Sequence, residues 1–289
     1  MNIKFFFIVI LGMLCSLSGQ SQDDRTIRTE ADGLMEDYYV DDIVPNTLIQ
    51  ESMVLEYEPV READIAWKKR IWRVIDTREK MNLTFKYPLM PFFTVIKEIA
   101  ENGDIALFND EFFKEPLTME EINGKLNKID TVSVFDYDSY EEKIEIVQNS
   151  INWEDIKQYR VKEIWYFDEE TSRMDVRIIG ISPILDEIDY DTGELKYSLP
   201  IFWMYYPEAR EHLAKYKVYN EENDMAPMSW YDLFEKRYFA SYITKRSNSL
   251  DLRVKDMYDG YDQAGVDRLM ESNKIKMELF NLEHDLWTY

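Results

Sequence analysis

The sequence is short of the residues that most often carry chemistry. Its 289 residues include one cysteine, Cys15, and two histidines, His212 and His284. A lone cysteine leaves no internal disulfide and no Cys-based zinc site. Two histidines about seventy residues apart, without a second His four residues from either, exclude the zincin helix. Nine glycines form neither a dinucleotide-binding G-x-G-x-x-G nor a P-loop, so nucleotide chemistry is not expected. No G-x-S-x-G elbow marks a serine nucleophile. Basic residues are outnumbered 34 to 57, giving a net charge of −23. Such a chain repels phosphate backbones and anionic lipid surfaces, which excludes nucleic acid as a partner. A basic protein surface or bound cations suit it better.

One long apolar run is present, at the start. Lys4 precedes an uninterrupted apolar stretch from Phe5 to Leu14, and Ser16, Ser18, Gly19 and Ser21 follow as small residues. This reads as a signal peptide, residues 1–21, too short to span a bilayer. Leu14 stands where a lipid-modified Cys15 would need a small residue, so cleavage between Ser18 and Gln22 is expected without lipidation. No later run is long enough to cross a membrane, and direct membrane insertion is not expected. The exported remainder must be stabilised by its core alone, and its 15% aromatic content favours a packed globule over disorder.

The remainder divides into an extended acidic arm, 22–60, and a single globular domain, 61–289. Within the arm, Tyr38, Tyr39, Val40, Ile43 and Val44 are fenced by Glu36, Asp37, Asp41 and Asp42. Such a stretch buries little within itself and reads as a strap on its own domain, a partner or a neighbouring subunit. Residues 61–130 read as helical. From Arg61 to Asn82, Trp67, Ile71, Val74 and Met81 recur at helical spacing and should face the core. Further helices are expected from Pro91 to Asn102, stopped by Gly103, and from Thr118, where Glu121 completes a capping box. Residues 131–206 read as a sheet: Thr131–Phe135, then a hairpin of Tyr159–Phe167 and Met174–Ile178, then Leu195–Tyr206. Residues 207–289 read as helical again. Ser229 caps a helix expected to reach Ser247, with Trp230, Phe234 and Tyr238 on one side. From Val266 to Trp287 a four-three spacing through Met270, Asn273, Met277, Phe280 and His284 gives a coiled-coil-like seam. The fold class is α+β: an antiparallel β-sheet with flanking helices and an acidic N-terminal arm.

The acidic clusters carry little chemistry on inspection. An EF-hand started at Asp189 would put Gly193 one place too early and Pro200 where a bidentate Glu is needed. The turn is read as a tight hairpin, and Asp256, Asp259 and Asp262 around Gly260 are no stronger. His284 is expected in the core and His212 on a surface helix opened by Pro207. No cofactor and no metal site are expected. Paired carboxylates could serve a secreted or periplasmic carbohydrate-active enzyme, with seven Trp and twenty Tyr to stack on sugars. This is the alternative to a non-catalytic protein.

Three ordered stretches carry a family resemblance: Arg61 to Asn82 (READIAWKKRIWRVIDTREKMN); Trp203 to Arg210 (WMYYPEAR) with Met228 to Arg237 (MSWYDLFEKR); and Phe280 to Trp287 (FNLEHDLW). They resemble the GldN/PorN family of gliding motility and the type IX secretion system, across roughly residues 35 to 289. The resemblance implies a periplasmic, non-catalytic subunit at the inner face of the outer membrane. It implies a homo-oligomeric ring with a GldK/PorK-like lipoprotein. It also implies contact with the periplasmic region of a GldM/PorM-like motor protein. No catalytic residue is carried over.

On the expected helix 61–82, Trp72 falls outside the apolar stripe beside Lys68, Lys69 and Arg73. These four residues, with the five apolar residues of the arm, are the candidate partner contacts. The opposing expectation is that Trp72 packs under the sheet and the basic residues pair internally.

Overall fold

A computed structural model describes residues 53–136, 141–188, 195–221, 223 and 228–287. The signal peptide, Tyr38, Tyr39, Val40, Ile43 and Val44 of the arm, and the acidic turn at 189–194 lie outside the described residues. The chain runs through β1 (Ile65–Asp76), α1 (Phe92–Asn102), β2 (Leu107–Phe108) and α2 (Met119–Leu126). Then follow β3 (Asn127–Asp136), β4 (Glu141–Ser150), β5 (Ile156–Asp168), β6 (Arg173–Ile188), β7 (Leu195–Pro200) and β8 (Trp203–Tyr205). It continues with α3 (Tyr206–Leu213), β9 (Lys217–Val218), β10 (Met228–Ser229) and α4 (Trp230–Glu235). It closes with β11 (Tyr242–Arg246), α5 (Val254–Met257) and α6 (Ala264–Trp287).

Seven strands form one sheet in the order β11-β1-β5-β6-β8-β2, with β7 also paired to β6. Every pairing in it is antiparallel. The α+β class is as expected, and the hairpin of β5 and β6 forms where its alternation placed it. β3 and β4 make a separate two-stranded ribbon.

The largest departure from the sequence reading is β1. The stretch expected as a helix is a 12-residue strand between β11 and β5. Its second half, from Ile71 to Asp76, is buried throughout. Ile65, Ile71, Val74, Ile75, Trp67 and Trp72 are the β-branched and aromatic types that suit a strand. Trp67, Ile71 and Val74 also happen to match helical spacing. The period of two is disguised because charged Lys69 and Arg73 occupy positions in the Trp67–Ile71–Ile75 row. Met81, expected in the core, is more than half exposed.

Local signals were more faithful elsewhere. Pro91 opens α1, and Gly103 ends it at φ +74°, the left-handed conformation glycine adopts without strain. Thr118 and Glu121 close the capping box on α2, with Thr118 N donating to Glu121 Oε2 over 2.8 Å. Ser229 caps α4, accepting from Asp232 N at 3.1 Å, but that helix stops at Glu235 rather than reaching Ser247. Arg237 takes φ +56°, Tyr238 N turns back to Leu233 O, and the chain enters β11. Trp230 and Phe234 are fully buried as expected, whereas Tyr238 is exposed.

The main core joins the sheet to α1, α3 and α4 through Phe85, Phe92, Tyr159, Trp230 and Phe234. Phe92 meets Trp230 with ring centres 4.5 Å apart and Phe85 edge-on at 5.5 Å. Aromatic pairs of this kind add roughly 0.5–1.5 kcal/mol each beyond the area they bury. A second, smaller core joins Ile71, Ile243 and Val254 to Ile275 and Leu279 of α6.

That second core corrects the expected seam of α6. Ser272, Ile275 and Leu279 face inward, while Val266, Met270, Met277 and Phe280 are each more than half exposed. The helix therefore carries two apolar stripes, and the four-three spacing picked out the outward one. His284, expected in the core, belongs to this exposed side.

Candidate interaction site around the first strand

β1 places its side chains alternately on the two faces of the sheet, and residues directly opposite across a ladder share a face. Trp72 lies opposite Lys162 on β5 and Lys245 on β11. Val74 lies opposite Arg160 and Tyr242. Arg73, facing the other way, pairs with Val161.

Arg73 is buried, and so is its partner Glu163, whose side chain is 0% exposed. Arg73 Nε donates to Glu163 Oε2 over 3.0 Å, and Trp165 Nε1 donates to the same oxygen over 3.0 Å. Arg237 Nη2 donates to Oε1 over 2.7 Å. One buried carboxylate thus answers two guanidinium groups. Burial pushes the Arg73 guanidinium below its usual range, and Glu163 opposes that shift. Within this chain Arg73 is an internal ion-pair residue.

Trp72 is only 5% exposed and likewise belongs to the fold rather than to an open face. Its Nε1 donates to Glu111 Oε2 over 3.0 Å. The Lys245 ammonium stands 4.6 Å from its ring centre and that of Lys162 5.8 Å. Glu111 is held by a tight loop in which Asp110 accepts from the backbone N–H groups of Phe112, Lys114 and Glu115. The same loop seats Phe113 on Gly180, where an added Cβ would come within 2.5 Å of the ring. Lys68 is exposed and Lys69 half-buried, and neither is brought to Trp72. Of the four candidate contacts on this segment, the structure keeps only Lys68 fully on the surface.

Sequence reasoning missed a cleft on the Trp72 side. It has a volume of about 440 Å³ and lies between β11, α5 and the start of α6. Arg160, Lys245, Arg253, Lys255 and Arg268 line it, against one acid, Glu111. Its apolar wall is Trp72, Ile243, Val254 and Leu269. Lys245 is paired with Asp251 at 2.8 Å, and Arg268 with Asp259 at 2.7 Å. Arg160, Arg253 and Lys255 form no ion pair among the described residues. Burial and then the like charge of Arg253 lower the proton affinity of Arg160, and Glu111 opposes that shift. The signal was present in sequence only as scattered basic residues on four separate elements.

The end of the arm is described and docks on the chain's own domain. Tyr57 lies over Arg210, ring centre to guanidinium 3.6 Å, and its hydroxyl donates to Glu235 Oε1 over 2.9 Å. Arg210 Nη2 donates to Leu55 O, and Arg177 Nη2 to Glu58 O, each over 2.6 Å. Arg210 Nε lies 3.4 Å from Glu235 Oε1, near enough for charge attraction but without hydrogen-bond geometry. Burial first, then the neighbouring Glu235, raises the Tyr57 hydroxyl well above its ordinary range.

Elsewhere the acids are spent on local structure: Asp256 accepts from Arg253 N at the start of α5, and Asp259 holds Arg268. His212 is partly exposed on α3, its Nδ1 3.7 Å from Asp104. Among the described residues no group of three or more His, Cys, Asp or Glu could hold a metal ion. Among them, too, no helix is long and apolar enough to cross a membrane.

A model of the family described as gliding motility associated protein GldN matches residues 60–288. No curated protein matches the chain. The match starts where the arm ends and covers β1, the cleft and α6.

Proposed function

The chain belongs to the GldN family of gliding-motility-associated proteins, and from that premise we propose that it is a non-catalytic, exported assembly subunit of the type IX secretion and gliding machinery. In this reading it resides in the periplasm, against the outer membrane. It builds a ring with a GldK/PorK-like lipoprotein and links that ring to the periplasmic part of a GldM/PorM-like motor protein.

The observation that carries the reading is the family match along nearly the whole described chain. The geometry supports it. Among the described residues the most enclosed carboxylate, Glu163, is fully buried and takes hydrogen bonds from three side chains, an arrangement that serves the fold. The surface offers an outward apolar stripe on α6 and a cationic cleft, both suited to protein contact.

The test is a pull-down of the tagged chain from detergent-solubilised native envelopes, followed by electron microscopy. Ring-shaped particles containing an outer-membrane lipoprotein are expected. Recovery of the chain as a monomer free of envelope proteins would overturn the reading. So would turnover of a glycan panel that a single Asp or Glu substitution abolishes.

A further inference from the structure

The cleft beside Trp72 is unusual for this protein. A chain with 57 acidic residues against 34 basic ones has carboxylates to spare, yet Arg160, Arg253 and Lys255 line one cleft without an ion pair among the described residues, and Glu111 is the one acid beside them. Adjacent cations left unpaired repel one another, an arrangement that is relieved when an anion enters. The other two cations, Lys245 and Arg268, are already matched, so the deficit rests on Arg160, Arg253 and Lys255.

The walls narrow the choice of anion. A site for a lone oxyanion would be small and polar. This one has a volume of about 440 Å³ and an apolar side made by Trp72, Ile243, Val254 and Leu269. Leu269 continues on α6 into the exposed Val266 and Met270. Such a surface takes a carboxylate attached to apolar side chains, which describes an acidic peptide segment with aromatic or branched residues. Guanidinium groups suit it, since their planar fork matches a carboxylate in two parallel hydrogen bonds.

The sequence of this chain contains such a segment. The acid pairs Glu36–Asp37 and Asp41–Asp42 alternate with the apolar groups Tyr38, Tyr39, Val40 and Ile43, Val44. We infer that the cationic cleft of one copy receives the acidic stretch 36–44 of a neighbouring copy. The contact joins one patch to a different patch, so it is head-to-tail and can propagate from copy to copy and close into a ring. This inference rests on the reading that copies of the chain assemble, and it names the site and the occupant of that assembly.

The experiment uses the full mature chain, purified alone, so that it does not depend on recovering other envelope components. Leu269, which is exposed at the cleft, is replaced by the photo-reactive residue p-benzoylphenylalanine. Equal amounts of 15N-labelled and unlabelled protein are mixed, illuminated and digested. The expected product joins the cleft to a peptide containing residues 36–44, and half of it carries one label from each copy. The pair of reversals Arg253→Glu and Lys255→Glu, both on exposed side chains, should reduce that product at least about tenfold while the melting temperature holds. Neutralising Glu36, Asp37, Asp41 and Asp42 to their amides should do the same.

A product joined only within one copy, a product to any other region, or no product would each overturn the inference. Competition by inorganic phosphate far beyond that of sodium chloride at equal ionic strength would also overturn it, marking the cleft as a phosphate site. If envelope rings are recovered and the product is absent, this inference fails and the assembly reading stands. If the product forms and no ring is recovered, the reverse holds.

Discussion

Two groups of cations sit on opposite faces of the same strand, and they are satisfied in opposite ways. On one face Arg73 and Arg237 share the fully buried Glu163, with Trp165 as a third donor. On the other, Arg160, Arg253 and Lys255 line a cleft without an ion pair among the described residues. Arg73 and Arg160 both lie within two positions of Trp72 in the β1–β5 ladder, so neither local sequence nor overall charge separates the two groups. What separates them is the enclosure of the centre: Arg73 and Glu163 are buried, whereas Arg253 and Lys255 are exposed. A buried cation must be paired within the chain, because its charge cannot be left in a low-dielectric interior. A cation at a solvent-filled cleft can wait for a partner. The first group belongs to folding, and the second is the one proposed above for binding.

The comparison breaks most directly at Glu163. Glu163→Ala leaves two guanidinium groups without their common carboxylate, one of them buried. A loss of about 3–5 kcal/mol is expected, read by urea denaturation at neutral pH. A change below 1 kcal/mol would mean that the buried pair is no more important than a surface one.

Trp72→Ala should cost about 3 kcal/mol, since it removes a buried ring and leaves a cavity. The loss should appear in the isolated subunit. Were the melting temperature unchanged while assembly failed, Trp72 would have to be moved from the fold to the interface.

A smaller effect is expected at the end of the strand. Hydrogen bonds from Arg78, chiefly from its side chain, hold the Asp76 carboxyl down to about 2. Its folded value is below the ordinary carboxylate value near 4. The stabilisation is therefore full above about pH 4 and is lost as the pH falls through about 2. Asp76→Asn should lower stability near pH 7 by about 1 kcal/mol, after allowance for solvent screening, and should flatten the acid limb of the curve. An unchanged slope between pH 4 and 2 would remove Asp76 from the account.

The smallest stability effect belongs to the cleft and the exposed end of the strand. Arg253→Glu, Lys255→Glu and Lys68→Glu should each shift stability by no more than about 0.5 kcal/mol. If the reversals at 253 or 255 unfold the chain, the cleft is structural and the contrast between the two faces disappears.

The sequence carried several local decisions unaided. Pro91 and Gly103 bounded α1 because the residues at a helix end answer only to their own backbone geometry. Thr118 and Glu121 closed a capping box for the same reason. The alternation of β5 and β6 was clear, and so were the α+β class and the family resemblance, which rests on residue identity along the chain.

Tertiary structure decided the rest. Trp67, Ile71 and Val74 fit a helix as well as a strand, and β11 and β5 on either side made the choice by pairing with that segment's backbone. Arg73 looked like a surface residue because Glu163, its neutraliser, is ninety positions away. The outward seam of α6 looked like its buried one because spacing along a helix does not say which stripe meets the sheet. The cleft could not be read at all, since β5, β11, α5 and α6 each contribute only one or two of its cations. Short-range geometry is written in neighbouring residues. Pairing, enclosure and the convergence of charge are properties of segments that meet only once the chain has folded.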